Sequence, residues 1–370
     1  MKVLHFYKTY YPDSYGGVQQ VIYQLAEGTA EYGVESDVLF LSQSEERYAV
    51  PMGHHHIHSS RLNFEVASTG FSWEVIARFR KIAAQADIIH YHFPWPFMDL
   101  VHFVSGVKKS VVVSYHSDIV KQKYLLQLYK PLMHLFLRRA DAIVAASPAY
   151  IEHSSVLKQY REKTHVITYG LDESSYPVAD AALLDSWRAK LPERFFLFVG
   201  AFRYYKGLHF LLQAAARNGL PVVLVGADGV EAELRQQALD LGLSNIIFTG
   251  ALSDADKVAL LQLCTAFVFP SYLPSEAFGI SLLEAAMYSK PMISCEIGTG
   301  TTYINIANET GLVVPPANVQ ALADAMQKLW DSPALCERFG QNARTRFEQQ
   351  FTSAGMAKSC ADLYTNLLTS

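Results

Sequence analysis

The sequence predicts an α/β protein with two domains, each built from buried strands that alternate with helices. Its 370 residues exceed the length that one hydrophobic core usually organises. Half of them are hydrophobic and 18% are charged, which permits a sizeable core and excludes extensive disorder. A strand, a glycine-containing turn and a helix follow one another near residue 3 and again near residue 195. We therefore expect domains at residues 1–170 and 190–350, joined by a linker.

The first domain opens with a Rossmann-like pattern. Residues 3–7 and 37–41 are apolar strands, and Gly16 and Gly17 open the helix between them, which ends at Gly33. The three spaced glycines of the dinucleotide-binding fingerprint are absent, which disfavours an NAD-dependent oxidoreductase.

Polar side chains follow two later strands of this domain. The strand at residues 87–92 ends in His90 and His92, and the strand at residues 111–115 is followed by His116 and Asp118. Ligands of open α/β sheets bind beyond the carboxyl ends of the strands. Any one of these histidines could be structural, but their convergence suggests a functional site.

The second domain repeats the pattern and adds two cations. After the strand at residues 195–199, the loop to the next helix carries Arg203 and Lys206 ahead of Gly207. An arginine and a lysine three residues apart suit the binding of a diphosphate. The alternative is an exposed basic loop without a ligand.

Two glutamates stand out in the stretch from Pro270 to Glu284. The spacing predicts a buried strand at residues 266–269, a short loop, and a helix that begins at Glu276. Glu284 follows eight residues later, so both carboxylates are expected near one face of the helix. Either both carboxylates bind a ligand, or Glu276 caps the helix and Glu284 faces water or an arginine.

This stretch, Glu-x7-Glu around Phe278-Gly279-Ile280, resembles the signature of retaining glycosyltransferases of the GT4 type, which have the GT-B fold. The resemblance implies two Rossmann-like domains facing each other across a cleft. It places Glu276 beside the donor sugar, Glu284 on the nucleotide ribose, and the backbone between them on the diphosphate. A helix N-terminus preceded by glycine is a natural diphosphate site.

The resemblance extends over essentially the whole chain. The loop with Arg203 and Lys206 is similar to the family's basic motif, which implies that both stabilise the leaving diphosphate. Residues 165–172 resemble the family's V-I-P-N-G-V-D segment, with Thr168 and Tyr169 in place of proline and asparagine. The family also implies that the helix at residues 352–370 packs back on the first domain. Further site residues that it implies are Gly16, Gly17, Thr249, Gly250 and Thr299 for the donor, His116 for the donor sugar, and, for the acceptor, His90, His92 and Asp118.

The stretch up to residue 316 most closely resembles O-antigen mannosyltransferases. This implies transfer of an α-mannosyl group from GDP-mannose, with retention, to a lipid-linked glycan in bacterial surface polysaccharide synthesis. A nucleotide sugar is then the donor, and no other cofactor is expected. GDP-rhamnose or a UDP-hexose as donor, a nucleotide-sugar epimerase of the same fold, and a non-catalytic assembly subunit are the alternatives.

We expect no catalytic metal. The pair Asp254 and Asp256 is similar to the DxD metal motif of another transferase fold, but it follows Ser253 at a helix start, where capping explains it better. Positive side chains and helix dipoles then have to neutralise the leaving group. The four cysteines are scattered without metal-binding spacing, which indicates reduced thiols.

Charge and hydropathy restrict the partners. The net charge of −4 argues against nucleic-acid binding. Basic residues gather in residues 108–139, either as a solvated helical face or as a contact with an anionic membrane surface. The sequence has no signal peptide and no apolar run of about 18 residues, so we expect a cytoplasmic protein, at most peripheral to the membrane. The tract His54–His58, which has no evident acidic partner, is predicted to be a surface loop or strand end.

Overall fold

The computed structural model describes residues 1–44, 48–119 and 123–369, with the backbone alone at residues 123 and 124. The chain divides into two compact units. Unit 1 comprises Met1–Gly170 and Thr352–Ser370, and unit 2 comprises Leu171–Phe351. The segment predicted to be a linker is thus part of unit 2, and the C-terminal helix is part of unit 1.

Unit 1 contains a sheet flanked by helices. Its strands are β1 Lys2–Phe6, β2 Glu35–Ser42, β3 Ala49–Met52, β4 His55–Arg61, β5 Phe64–Val66, β6 Thr69–Phe71, β7 Ile88–Phe93, β8 Ser110–Tyr115, β9 Ala142–Ala145 and β10 Thr164–Val166. Its helices are α1 Gly17–Thr29, α2 Val75–Ala83, α3 Pro96–Ser105, α4 Lys123–Arg139, α5 Pro148–His153 and α14 Ser353–Thr369. In the described residues the main sheet has the order β10-β9-β8-β7-β1-β2-β4-β3, with only β3 antiparallel, and β5 and β6 form a separate hairpin.

Unit 2 repeats the architecture on a smaller scale. Its strands are β11 Phe196–Val199, β12 Val222–Val225, β13 Ile246–Gly250, β14 Ala266–Phe269, β15 Met292–Cys295 and β16 Gly311–Val314. Its helices are α6 Ala181–Arg188, α7 Leu208–Asn218, α8 Glu231–Asp240, α9 Asp254–Leu263, α10 Ile280–Met287, α11 Thr301–Ile304, α12 Val319–Trp330 and α13 Pro333–Gln350. The described strands form one parallel sheet of order β13-β12-β11-β14-β15-β16.

The central strands of the unit 2 sheet are short apolar runs that are buried along their whole length. β11, β12 and β14 of unit 2 are examples. Parallel sheets covered by helices on both faces require this composition, because neither face meets water. Strand order reverses at β1 in unit 1 and at β11 in unit 2. The loops that follow these strands therefore lie at the switch points where such sheets bind ligands.

Helix α14 completes unit 1 by packing on α1. The contact is close: a Cβ on Gly28 would lie 2.8 Å from the Cβ of Ala357. Tyr364 is fully buried, and its hydroxyl lies 2.6 Å from His90 Nδ1 at the centre of the sheet. The segment after residue 351 therefore contributes to the core of unit 1.

The histidine tract has acidic partners, contrary to the sequence interpretation. His55 and His58 lie on β4, where His55 Nδ1 is 2.6 Å from Glu27 Oε1 and His58 Nε2 is 2.7 Å from Asp37 Oδ1. Both carboxylates come from elements that are distant in sequence, which is why the sequence did not reveal them. His55–His58 form a partly buried strand, held by hydrogen bonds between its histidines and these carboxylates.

Candidate active site

The loop after β11 is fixed against the loop after β14. Gly207 has φ of 71°, and a Cβ there would lie 2.1 Å from the carbonyl oxygen of Pro270. The Tyr272 amide donates a 3.0 Å hydrogen bond to the Tyr205 carbonyl. Neighbouring parallel strands bring these loops together, and only glycine permits so close an approach.

This approach joins two of the predicted catalytic residues. Lys206 Nζ forms an ion pair with Glu276 Oε2, and their side chains are only 13% and 11% exposed. Ser271 Oγ donates to the same carboxylate oxygen over 3.4 Å, and the ammonium lies 4.5 Å from the ring centroid of Phe269. Arg203 is exposed and forms no ion pair with any residue that the structure describes. The site thus holds one paired and one unpaired cation.

The helix near Glu276 begins later than the sequence predicted. α10 starts at Ile280, and Glu276 lies in a turn in which its amide donates to the Leu273 carbonyl over 3.0 Å. The prediction that both glutamates share one face of the helix is therefore wrong. Gly279, with φ of 99°, occupies the N-cap without a side-chain cap. Glycine here ends the irregular segment and leaves the first amides of α10 to other partners.

Glu284 is buried and paired with a lysine. Its Oε1 lies 2.8 Å from Lys257 Nζ and accepts a 3.0 Å hydrogen bond from the Tyr176 hydroxyl. The alternatives of water or arginine for Glu284 are both wrong. Burial alone would lower the pKa of Lys257, but Glu284 and Asp254 raise it above its usual value. Lys257 therefore stays charged and holds the carboxylate in place.

The aspartates of the Asp254-x-Asp256 pair are used within the fold. Ser253 Oγ caps α9 by accepting from the Asp256 amide over 3.2 Å, and Asp254 pairs with Lys257 at 2.8 Å. Asp256 accepts from the indole of Trp187 over 2.9 Å. The arrangement matches the capping interpretation.

The glycine- and threonine-rich loop after β15 packs on the segment between Glu276 and α10. The Gly300 amide donates to the Ala277 carbonyl over 2.8 Å, and a Cβ on Gly300 would lie 2.3 Å from Phe278 Cδ2. The Phe278 side chain is 3% exposed, and Thr299 is fully buried with its hydroxyl 3.5 Å from that of Thr301. One packed region thus contains Phe278, Gly279, Ile280 and Thr299. Their backbone groups can bind a ligand there.

Thr249 and Gly250 lie apart from this region, at the end of the edge strand β13. The Thr249 hydroxyl donates to the Leu224 carbonyl over 3.3 Å and to the Gly250 carbonyl over 3.0 Å. Its hydrogen is therefore used within the sheet. Because β13 is two strands from β11, Thr249 and Gly250 lie beside the loop that carries Arg203 and Lys206 rather than in it.

In unit 1 the predicted histidines form a buried chain. His92 Nδ1 lies 2.9 Å from His116 Nε2, and His92 Nε2 lies 3.1 Å from Nδ1 of His5 on β1. The other nitrogen of His116, Nδ1, lies 2.6 Å from the Tyr169 hydroxyl. Burial lowers the pKa of both His5 and His116 to about 3. Both ring nitrogens of His116 thus have hydrogen-bond partners. Its lowered pKa keeps the ring neutral at physiological pH.

The remaining predicted residues of unit 1 have local roles. Asp118 Oδ1 accepts from Tyr115 at 2.7 Å and from Ser154 at 2.8 Å. Gly16 is the N-cap of α1, its carbonyl accepts from the Gln20 amide over 2.9 Å, and Gly17 begins the helix. His90 Nε2 lies 2.7 Å from the Ser114 hydroxyl. The structure brings His90, His92 and His116 together but holds Asp118 in a separate network.

Comparison with known proteins identifies the family. Two family models match, Glycosyltransferase Family 4 over residues 15–175 and Glycosyl transferases group 1 over residues 182–346. D-rhamnosyltransferase WbpZ of Pseudomonas aeruginosa is 58% identical over 95% of this chain and 93% of that protein. O-antigen chain mannosyltransferase C of Escherichia coli is 51% identical over 100% of both. The chain is a family 4 glycosyltransferase.

Solved structures support the fold of this glycosyltransferase. Sucrose-phosphate synthase of Thermosynechococcus elongatus matches with a TM-score of 0.82 and 23% identity, covering 100% of this chain and 99% of that chain. HepE of Anabaena, in complex with UDP and glucose, matches with a TM-score of 0.79 and 20% identity over 99% of both. The GT-B fold prediction, with two Rossmann-like domains, is thereby confirmed. The described helices of the glycosyltransferase include none that is long and apolar enough to cross a membrane.

Several partners of the predicted site residues escaped the sequence analysis. Lys257 and Tyr176 hold Glu284, while His5 and Tyr169 extend the histidine chain. Tyr169 could have been noticed, because it stands where the family segment has asparagine.

Three histidines lie close enough to hold a metal ion. His5, His90 and His92 offer nitrogens within 4.8 Å of one another. The ring nitrogens of His90 and His92 are already engaged in hydrogen bonds with neighbouring side chains. As the side chains stand, the group is a hydrogen-bonded network rather than an open set of ligands.

Proposed function

We propose that the enzyme transfers an α-mannosyl group from GDP-mannose, with retention of configuration, to a lipid-linked glycan in bacterial O-antigen synthesis. The main support is the full-length similarity, 51% identity, to O-antigen chain mannosyltransferase C. The site is consistent with this activity, since it combines exposed Arg203 with the Lys206–Glu276 pair at a strand-order switch point.

In the proposed reaction the bond between C1 of the sugar and the diphosphate oxygen breaks, and a bond from C1 to the acceptor oxygen forms on the same face. The proton of the acceptor hydroxyl passes to the departing phosphate. Arg203, Lys206 and the amides at the start of α10 neutralise the negative charge that develops on the leaving group. Glu276 accepts a hydrogen bond from the sugar, Glu284 holds the ribose, and His116 contacts the sugar.

D-rhamnosyl transfer from GDP-rhamnose is the second candidate. It is favoured by the 58% identity to D-rhamnosyltransferase WbpZ over 95% of this chain. Mannose and D-rhamnose differ at C6, where rhamnose lacks the hydroxyl. A site built to bind that hydroxyl would reject the sugar that lacks it by a large factor.

The deciding experiment is a transfer assay with a lipid-linked acceptor and, in parallel, GDP-mannose, GDP-D-rhamnose and UDP-hexoses. We expect GDP-mannose to be used most efficiently, with an α-linked product by NMR and no loss of rate in a chelator. Transfer from GDP-D-rhamnose or a UDP-hexose alone would contradict the mannosyl assignment. Conversion of the donor without acceptor would indicate an epimerase.

A double variant, Arg203→Gln with Lys206→Gln, tests the site itself. Turnover should collapse because the leaving diphosphate loses both cations. Because Glu276 also loses its buried partner, the melting temperature should fall, and turnover is compared at a temperature where both proteins are folded. Unchanged turnover would refute the proposed role of this loop.

We also propose that unit 1 contacts the inner face of the membrane through residues 108–139. On α4, Leu128 is 82% exposed and Leu125 is 52% exposed. Arg138 and Arg139 are exposed at the end of the same helix. Exposed leucines beside cations suit an anionic lipid surface. Lys121, part of the predicted basic region, lies outside the described residues.

A further inference from the structure

Three aromatic side chains form an accessible group on the β5–β6 hairpin and just after it. Phe64 and Phe71 face each other across the hairpin, with ring centroids 4.8 Å apart and an interplanar angle of 12°. The ring centroid of Trp73 lies 5.8 Å from that of Phe64. Phe64 is 42% exposed and Trp73 is 70% exposed. These three side chains, the aromatic platform, are a candidate binding surface.

Buried aromatic side chains support the platform from below. The ring centroid of Phe71 lies 5.0 Å from that of Phe97, which in turn lies 6.0 Å from that of Trp95. Trp95 is 1% exposed, and its indole donates a 3.0 Å hydrogen bond to the Gly70 carbonyl. The inner part of the platform is therefore fixed before a ligand arrives, which lowers the entropy cost of binding.

The hairpin is anchored at the carboxyl edge of the main sheet. The Leu62 amide donates to the carbonyl of Ser42, the last residue of β2, over 2.8 Å. Lys8, in the loop after β1, donates from Nζ to the Ser68 carbonyl over 3.3 Å. Trp95 follows β7 by two residues. Three strand ends thus hold the platform at the edge where open α/β sheets bind ligands.

The platform and the histidines are on opposite faces of the sheet. The ring centroid of Phe6 lies 4.9 Å from that of Trp95, whereas the ring centroid of His5 lies 5.3 Å from that of His92. Successive residues of a strand point to opposite faces. The platform is therefore separate from the position predicted for the sugar that contacts His116.

Charge around the platform favours a neutral ligand. Residues 61–74 carry one arginine and two glutamates, a net charge of −1, and Lys8 beside them brings the total to zero. Residues 123–139, which form α4, carry two lysines and two arginines and no acidic side chain. An anionic lipid surface attracts basic segments. Such a surface therefore fits α4 and not the hairpin.

Aromatic rings together with a polar donor suit a sugar. One face of a pyranose ring presents C–H bonds, whose slightly positive hydrogens are attracted to the negative face of an aromatic ring. The Trp73 amide donates to Asn63 Oδ1 over 2.9 Å, which leaves the Nδ2 group of exposed Asn63 to donate to a sugar hydroxyl.

We propose that the aromatic platform binds sugar rings of the acceptor glycan by stacking, at a subsite separate from the reacting end. This rests on the proposed function, in which the acceptor is a glycan. The platform holds a sugar that is already part of the chain, so it strengthens the binding of long acceptors and not of an acceptor with a single sugar.

Fluorine NMR on protein labelled with 5-fluorotryptophan observes Trp73 directly, and its signal is assigned by its absence in Trp73→Phe. Titration with an α-linked mannotetraose, without donor, should move the Trp73 signal and leave those of Trp187 and Trp330 in unit 2 unchanged. A Trp73 signal that does not move would overturn the proposal. So would a signal that moves with phosphatidylglycerol vesicles and not with the oligosaccharide, because the platform would then contact the membrane.

Two substitutions at Trp73 separate stacking from apolar contact in the transfer assay. Trp73→Leu keeps an apolar side chain without a ring, and Trp73→Phe keeps a ring. With a lipid-linked acceptor of four sugars, Trp73→Leu should raise the acceptor KM about 3- to 10-fold, with little change in kcat or in the donor KM. The KM of a one-sugar acceptor should stay the same, and Trp73→Phe should retain most of the parent's affinity. Phe64→Leu should resemble Trp73→Leu.

Tyr32→Leu is the matched control. Tyr32 is a 41% exposed aromatic residue of unit 1 that precedes β2 and therefore lies at the opposite edge of the sheet. It should leave both acceptor KM values unchanged. If Trp73→Leu behaves like this control, or raises both KM values equally, the proposed subsite is refuted. If the parent transfers no sugar to any acceptor but mannotetraose moves the Trp73 signal, the proposed function fails while the glycan-binding platform stands.

Discussion

Lys206 and Glu276 neutralise each other inside unit 2, although the proposed reaction needs both for the donor. The pair is largely shielded from water, so separating the two charges without replacements is costly. A bound nucleotide sugar supplies both replacements, since its phosphate can take the lysine and a sugar hydroxyl can donate to the carboxylate. A nucleoside diphosphate supplies a phosphate for the lysine but no sugar hydroxyl for the carboxylate. The pair is therefore expected to favour the intact donor over the product.

Glu276→Gln should separate binding from turnover. Removing the competing carboxylate frees Lys206 for phosphate, so GDP should bind roughly tenfold tighter, the equivalent of about 1.4 kcal/mol. Transfer should nevertheless collapse. Isothermal titration with GDP and the transfer assay measure the two effects.

The Lys206→Met background provides the control for simple charge repulsion. There Glu276→Gln should give a much smaller gain, because no ion pair remains to be broken. An equal gain in both backgrounds would mean that Glu276 acts on the phosphate by repulsion alone.

Gly300→Ala tests how the loop after β15 supports the site. The backbone of Gly300, with φ of −63°, suits alanine, but the added Cβ would meet Phe278 at 2.3 Å. We expect the loop to shift, the donor KM to rise, and stability to fall by about 1–3 kcal/mol. Gly355→Ala is the control, since its Cβ would lie 3.3 Å from the Thr352 hydroxyl oxygen. Equal donor KM values in the two variants would contradict this account.

Single residues of the site were predictable where their chemistry is local. Arg203, Lys206 and both glutamates stand out in the sequence by type and spacing. Their partners do not, because Lys206 meets Glu276, 70 residues away, only through the pairing of β11 with β14. Lys257 reaches Glu284 by the same kind of tertiary contact, across 27 residues.

At the scale of elements, α4 is the clearest surface feature of unit 1. Leu125, Leu128 and Leu135 are 52%, 82% and 48% exposed, and their spacing places them near one side of the helix. Leu100 and Val104 of the adjoining α3 are also exposed. Apolar side chains at this level of exposure suit partial insertion among lipids better than a fully solvated face.

Co-sedimentation with lipid vesicles tests this surface. The protein should bind vesicles of phosphatidylglycerol and phosphatidylcholine more strongly than pure phosphatidylcholine, and salt should weaken the binding. Leu128→Gln combined with Leu135→Gln should reduce it severalfold. Leu239→Gln, at a 74% exposed leucine of α8 in unit 2, is the control. Equal binding of both variants would remove α4 from the contact.

Helix boundaries show where periodicity alone was insufficient. The sequence favoured a helix from Glu276, but the chain forms a turn there and α10 begins only after Gly279. The segment before α10 packs on Gly300, which lies in the loop after a different strand, β15. Local propensity contains no information about such a contact.

At the scale of the molecule, histidine is distributed very unevenly. Of the 13 histidines, only His209 lies in unit 2. In unit 1, burial lowers the pKa of His5, His90, His92 and His116, and it lowers that of His102 to about 4. Unit 1 therefore folds around imidazoles that resist protonation.

Acid should destabilise unit 1 first. These histidines have folded-state pKa values below their unfolded values, so their contribution is complete above about pH 6.5 and declines as the pH falls below it. Over the pH range in which such a histidine is protonated in the unfolded state but not in the folded state, it lowers the free energy of unfolding by about 1.4 kcal/mol for each pH unit of acidification.

Urea titrations at pH 7.5 and 5.5 can follow each unit through its tryptophans. Trp73 and Trp95 lie in unit 1, Trp187 and Trp330 in unit 2, and replacing either pair by phenylalanine isolates the other. The unit 1 midpoint should fall much more than that of unit 2. Parallel losses in both units would contradict the assignment to the histidines.

The overall fold was more predictable than the site. Repeated apolar strands and glycine turns indicated two Rossmann-like halves, because such strands have few other ways to bury both faces. The C-terminal helix was assigned to unit 1 by resemblance alone, since nothing in residues 353–369 identifies their partner. That partner is α1, with the close contact between Gly28 and Ala357.

The return of the chain to unit 1 has a consequence for biosynthesis. Residues 1–170 leave the ribosome first, but the helix that covers α1 and brings Tyr364 to His90 is translated only after residue 351. Unit 2 is continuous in sequence and can finish folding while unit 1 is still incomplete. A nascent chain that stops between residues 170 and 352 would therefore leave exposed the face of α1 that α14 covers in the folded protein.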